Sequence, residues 1–313
     1  MRTDTTNQAK FDLADAPLCN LASAAAQMKM HSRNWNQAQF VILPPSKAVL
    51  PGRFRNVETD YKRHVGLLAS MQRLRGSAYV SDGAIRPCDL TADGRHALCV
   101  DEHSWHVLSL DRAGQVSSCL RYLDESCAAG FEGLWIRQAA LAQCPQQGHR
   151  FRSAVEREMA RARQMRMGFG EVGGWAVAES HRRTVEPVGI LLATYGLLEL
   201  LGGCIGVATA TFRHASSAIL RKIGLSSLAA AGIELTPYFD PSYGCQMEVL
   251  QFDSRFPSSK YAGWVTELTG ILTNAPVICR DSVAATLGGV WNRLLPLAPE
   301  RAFEDRLARV AAA

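Results

Sequence analysis

The sequence has no Cys-x-x-Cys pair among its nine cysteines, which lie scattered from Cys19 to Cys279. That removes the commonest zinc-ribbon and dithiol spacings, and an odd number leaves at least one thiol unpaired, so a reducing, cytoplasmic setting is expected. The first thirty residues lack a long apolar run after a basic start, so no secretory signal is expected there. Nor is there an uninterrupted membrane-length run. Residues 188–211 come nearest, but Glu199 and Gly202-Gly203 divide them into a helix-like and a strand-like piece, which favours a buried helix-turn-strand. A peripheral membrane contact stays open, above all for a long-alkyl substrate. No internal repeat is visible. The net charge of +5 is modest and much of the basic character sits in residues 150–166. No zinc spacing, recognition helix or aromatic-basic platform accompanies it, so nucleic acid is not an expected partner. An acidic protein or anionic cosubstrate is the better match.

What is present suits one core domain. With 313 residues and 47% hydrophobic residues the chain can bury a large core. Residues 1–50 read as an irregular leader with a short helix over 21–30, followed by the turn-forming Pro44, Pro45 and Pro51. Val57, Tyr61, Val65 and Leu68 recur at helical spacing and predict an amphipathic helix ending near Gly76. Trp105, Val107 and Leu108, the turn at 111–114 and the run 116–122 predict an antiparallel hairpin. Helices are expected over 131–142 and 150–167, then a strand at 173–178, an apolar helix at 188–201, and a strand at 204–211. A helix with Ile219, Leu220, Ile223 and Leu228 on its buried face is stopped by Gly232, and a strand follows at 247–252. Helices at 259–272 and 299–310 complete the reading, with Gly288 to Trp291 and Leu294-Leu295 as a lid or extra layer. Alternation of strands and helices predicts a sheet domain over 51–256 with a helical extension over 257–313 packed on it.

Particular stretches resemble a known family. Glu171-Val-Gly-Gly-Trp-Ala-Val-Ala-Glu-Ser-His-Arg-Arg-Thr is similar to the central strand and following turn of the Gcn5-related N-acetyltransferase superfamily. Ile219-Leu-Arg-Lys-Ile-Gly-Leu resembles the helix near its acyl-thioester tunnel, and Tyr238-Phe-Asp-Pro-Ser-Tyr-Gly-Cys-Gln-Met-Glu-Val-Leu the loop and strand beyond. Leu74-Arg75-Gly-Ser-Ala-Tyr79, Asp101 and Ser118-Cys-Leu-Arg121 resemble the N-acyl amino acid and acyl-homoserine-lactone synthase branch. The resemblance covers about residues 57–253 and implies an α+β fold, an α/β/α sandwich on a central mixed sheet. It also implies transfer of a fatty acyl group from a thioester to the amine of an amino acid or related small molecule. Glu171 is then the base or amine-orienting group. Asp101 binds the amine or holds Arg121, and Arg75 and Arg121 build an internal ionic network.

Donor contacts fall to Ala178, Arg182, Arg183, Thr184, Ser216 and Ser217. The turn at 181–186 keeps a basic start but lacks the glycines that family members place there, and backbone wrapping around a diphosphate needs such glycines. No tightly bound cofactor is expected. Acyl carrier protein phosphopantetheine becomes the favoured cosubstrate and partner over acyl-coenzyme A. Acetyl-coenzyme A-dependent N-acetylation and a catalytically degenerate binding protein are the alternatives. Tyr238 and Tyr243 are candidates for protonating the leaving thiolate or shaping the entrance. Cys119, Cys204 and Cys245 read as packing residues rather than nucleophiles, and His103 and His106 as ordinary histidines without a third metal ligand.

Overall fold

The computed structural model describes residues 39–125 and 130–281. In chain order the elements are β1 (Gln39–Leu43), β2 (Asn56–Thr59), α1 (Tyr61–Ser81), β3 (Trp105–Leu110), β4 (Val116–Asp124), α2 (Ala140–Gln143), α3 (Gly148–Gln164), β5 (Gly168–Val177), α4 (Glu186–Leu200) and β6 (Cys204–Thr211). There follow α5 (Ser216–Ile223), the short β7 (Ser226–Ser227), β8 (Ala229–Ala230) and β9 (Ile233–Glu234), then β10 (Tyr238–Asp240), β11 (Cys245–Asp253), α6 (Ala262–Asn274) and β12 (Pro276–Cys279). Ten strands form one sheet in the order β10-β11-β6-β5-β4-β3-β1-β12-β2, with β7 on β11. Pairing is mixed: β5–β6, β1–β12 and β12–β2 run parallel and the remaining neighbours antiparallel.

Strand alternation divides the sheet into two faces. On the first, Leu108, Cys119 and Ala176 pack under Leu68, Met71 and Ala78 of α1. Leu123, Phe169, Ile205, Val207 and Val249 pack on the same face under Phe151, Val155 and Met159 of α3. On the second, Val107, Leu120, Tyr122, Ala208, Leu250 and Phe252 lie under α4 and α6 in a single cluster. This is a mixed α+β sandwich, consistent with the architecture implied by the resemblance. Helix α4 is apolar nearly all round because it lies between the sheet and α6, whose Val265, Leu268 and Leu272 cover it. Among the described residues no helix is long and apolar enough to cross a membrane.

Several expectations are corrected. The leader boundary at residue 50 fails, because Gln39–Leu43 is a buried strand between β3 and β12. Its Phe-Val-Ile-Leu run is what a strand covered on both faces needs, and the prolines begin just after it. The boundary at 257 fails likewise, since β12 lies inside the same sheet. The first helix starts at Tyr61, where the Asp60 carboxylate accepts from the Arg63 N–H at 2.9 Å. It runs past Gly76 to Ser81. Its buried stripe is His64, Leu68, Met71, Gln72, Arg75 and Ala78, whereas Val57, Tyr61 and Val65 are exposed. The helix expected over 131–142 is instead two 3-10 turns, Phe131–Gly133 and Trp135–Gln138, and the short α2. Helix α5 ends at Ile223 before Gly224, whose φ of +125° suits glycine alone. Leu228 lies beyond it, in the cluster under α3. The expected helices at 21–30 and 299–310, and the layer at 288–295, lie outside the described residues.

Candidate functional site

Parallel strands β5 and β6 pair only from Gly168↔Cys204 to Val172↔Ala208, although β5 runs on to Val177 and β6 to Thr211. Beyond that point the two central strands part. Residues 172–175 of β5 are half-exposed between buried stretches of the same strand. On its other edge β5 bulges: Arg121 pairs with Gly173 and Cys119 with Ala176, so Gly174 and Trp175 together oppose Leu120. Gly174 has φ +65°, and a Cβ there would lie 3.2 Å from Nη1 of Arg75 and 3.3 Å from Cβ of Arg121. The Gly173-Gly174 pair marks this kink, and glycine inside a strand pattern is the sequence signal for it.

Two buried ion pairs meet at the bulge. Arg121 projects from β4 onto the first face, and its Nη2 donates to Oε1 of Glu171 at 3.2 Å. Oε2 of Glu171 accepts from the Ile136 N–H at 2.8 Å, and the Trp135 N–H also bonds this carboxylate. Glu171 is therefore not a strand-entry residue at the surface; it is 2% exposed. Burial drives its pKa above the ordinary glutamate value, more than Arg121 and the two N–H groups pull it down. The broken helical segment at 131–143 explains this geometry, since the 3-10 turn at 135–138 leaves N–H groups free to point at the carboxylate.

Asp101 does not hold Arg121. It accepts from Arg75 through Nη1 at 3.0 Å and Nη2 at 2.6 Å, from Nε2 of Gln72 at 3.0 Å and from the Leu98 N–H at 3.0 Å. Burial works to raise its pKa, but Arg75 prevails and holds the carboxyl well below the usual range. With its acceptor sites filled, Asp101 positions Arg75 rather than an amine. The four candidate catalytic side chains thus form Arg75–Asp101 and Arg121–Glu171, side by side under α1. Around them, the Tyr79, Tyr238 and Tyr243 hydroxyls are all pushed upward by burial. Nε and Nη1 of Arg121 and the Tyr238 hydroxyl have no hydrogen-bond partner among the described residues, so buried polarity here exceeds what the chain itself satisfies.

The donor candidates do not converge in the same way. The Ala178 N–H donates to Ser117 at 2.8 Å. Arg182 is drawn to Asp82 at the end of α1, with Nη1 2.7 Å from Oδ1. The Thr184 hydroxyl donates to the His181 carbonyl at 2.7 Å and accepts from the Glu186 N–H at 3.1 Å. Helix α4 therefore opens with a capped N–H, a negative Glu186 and a proline, which suits a diphosphate poorly. Arg183 is exposed. Ser217 is buried and donates to Glu248, which Arg221 also holds, while Ser216 reaches only the Arg213 carbonyl at 3.4 Å. Of the six arginines in the basic run at 150–166, three stand in ion pairs: Arg152 with Glu132 and Glu156, Arg161 with Glu158 and Asp253, Arg163 with Glu125. Cys119 is fully buried with its thiol pushed up to about 12, unsuited to nucleophilic attack. His103 is exposed in a 3-10 turn, and His106 is buried with Nε2 2.8 Å from the Asp101 carbonyl. Among the described residues no cluster could hold a metal ion.

No family model matches the chain, and no curated protein matches it. Among solved structures it is similar to the CoA-dependent acyl-homoserine lactone synthase BjaI with SAM and isopentyl-CoA, at 13% identity and a TM-score of 0.47 over 77% of this chain and 92% of that one. It is similar to the CoA-dependent acyl-homoserine lactone synthase MesI at 15% and 0.46, over 76% and 98%. It is similar also to FeeM, an N-acyl amino acid synthase from uncultured soil microbes, at 12% and 0.39, over 70% and 92%.

Proposed function

We propose that this chain is an N-acyltransferase that moves an acyl group, in the leading form a fatty acyl group, from a thioester donor to the amine of an amino acid or related small molecule. The observation that carries the reading is the parting of β5 from β6 one residue past a buried, basic-shifted Glu171. Where the strands part, β5 presents backbone edge that no strand pairs. An extended thioester arm can lie against that edge as a strand would, held by main-chain hydrogen bonds. The amine then approaches from the polar first face. Glu171 accepts its proton, nitrogen bonds to the thioester carbon, and the carbon–sulfur bond breaks as the proton passes to the departing thiolate. Unpaired N–H groups of the parted edge are suited to steady the developing oxyanion.

The crowded, acidic start of α4 favours a carrier-bound phosphopantetheine arm over acyl-coenzyme A, because the carrier-bound arm brings no diphosphate to that turn. A binding-only reading rests on one observation, that both oxygens of Glu171 already accept hydrogen bonds. Incubating the purified chain with acyl-carrier and acyl-coenzyme A donors, each against a mixture of amines, and weighing the products by mass spectrometry separates the readings. Amide product from the acyl-carrier donor is expected. Acetyl transfer from coenzyme A alone would overturn the donor assignment, and tight donor binding without product would favour the binding-only reading.

A further inference from the structure

The gap between β5 and β6 has two unlike sides. An arm that enters at the open ends of the strands is stopped where pairing resumes at Val172↔Ala208, and its acyl tail must leave the plane of the sheet there. Towards the first face it meets Glu171, Arg121 and Arg75, all buried and charged. A hydrocarbon tail there would strip charged groups of polar contacts. Towards the second face it meets the rim of the apolar cluster. Val172, Trp175, Val185, Val188 and Ile219 are half-buried there and packed against a filled interior. Across the gap β6 offers only Ala208 and Ala210 to this face. Trp175 is by far the largest of these rim side chains, placed by the Gly174 bulge, and its Nε1–H is buried without an acceptor among the described residues.

Resting on the N-acyltransferase reading, we propose that Trp175 is the specificity-determining residue for the donor. Its ring limits the length of acyl tail that the second face admits, and its Nε1–H donates to an oxygen of the donor arm. The tail and the amine are thereby kept on opposite faces of the sheet, with the thioester between them in the gap. Trp175→Ala removes both the limit and the donor group; Trp175→Phe keeps most of the ring and removes only the N–H.

The test is calorimetric binding of non-hydrolysable acyl-pantetheine thioethers of increasing tail length to the full chain, with thermal unfolding of each variant as the check on folding. The wild-type chain should stop gaining affinity beyond a definite length. Trp175→Ala should go on gaining about fourfold per added methylene past that length. Trp175→Phe should keep the wild-type limit and lose about two- to tenfold at every length. If the alanine variant does not fold, Trp175→Leu replaces it with the same expected extension. A folded small-residue variant that keeps the wild-type limit overturns the assignment of Trp175 and leaves the acyltransfer reading standing. A wild-type chain that binds no acyl arm of any length overturns both.

Discussion

The two faces of the central sheet solve burial differently. Under α4 and α6 one continuous apolar cluster runs from Phe40 to Cys279, and the buried Glu248 of this face lies at its β11 edge, held by Arg221 and Ser217 of α5. Under α1 and α3 the apolar surface is split into two clusters, and the seam between them holds His106, Arg121 and Glu171 from the sheet and Arg75 and Gln72 from α1. A continuous apolar face is the cheaper way to stabilise a fold, because buried ion pairs seldom recover their full desolvation cost. A seam of this kind is where chemistry is expected, since perturbed groups gather at functional sites. The second face supplies stability; the first carries the groups that can act.

That division can be tested most strongly at Glu171. Glu171→Gln removes the proton acceptor while keeping its shape and its hydrogen bonds from Ile136 and Trp135. Turnover per folded molecule with the first active donor–amine pair should fall about 10²- to 10⁴-fold, and the unfolding free energy should fall as well, because Arg121 is left buried without its carboxylate partner. Undiminished turnover would remove Glu171 from the chemistry. Next in size is Arg75→Met, which leaves Asp101 buried without its main partner and should lower the unfolding free energy by about 3–5 kcal/mol. In urea titration the pair change Arg75→Met with Asp101→Leu should recover much of that loss. If it does not, the pair contributes more than compensation for its own burial. On the opposite face Leu268→Ala, at a fully buried position of α6, should cost about 2–5 kcal/mol. Its turnover per folded molecule should be unchanged, and a specific loss of turnover would break the contrast between the faces.

The same contrast explains what could be read from the sequence. The hairpin of β3 and β4 and the strand at Cys204–Thr211 follow β-rich apolar runs bounded by turns, and they form where the pattern places them. Helix α1 forms too, but apolar periodicity misplaces its buried stripe, because Gln72 and Arg75 look like a solvent face until Asp101 is seen beneath them, and His64 until the Pro44 carbonyl is seen beside it. Strand β1 was hidden by the prolines that follow it. The resemblance singled out Glu171, but the strand expected at 173–178 begins after it, whereas β5 starts at Gly168 and holds Glu171 within it; its hydrogen bonds from Trp135 and Ile136 were not legible either. No periodicity encodes a helix that breaks to turn its N–H groups inward. The parting of β5 and β6 is likewise a pairing property, to which only the Gly173-Gly174 dipeptide gives a local sign.

The smallest effect expected is in acid, and it too separates the faces. Burial pushes the imidazoles of His96 and His106 down to about 4, against about 6.5 in the unfolded chain. Between those values the unfolded state binds more protons than the folded state, so stability should fall as the pH drops through that window. Glu171 works in the opposite sense. Its raised pKa makes the folded state the better proton binder just above the ordinary glutamate value, so protonation there offsets part of the histidine loss. Asp101, held well below its ordinary value, adds its own loss only under stronger acid. On the second face the groups with resolved shifts include Tyr122, Tyr195 and Cys204, all moved upward by burial and silent in this range. Urea titrations of the wild-type chain between pH 7 and pH 4.5 should therefore show a decline, and His106→Gln should flatten it by removing one of the three imidazoles that burial lowers, His64 being the third. Leu268→Ala should be less stable throughout yet run parallel to the wild type. Equal slopes in all three proteins would mean that the acid response does not arise from His106 and that the polar seam is not its source.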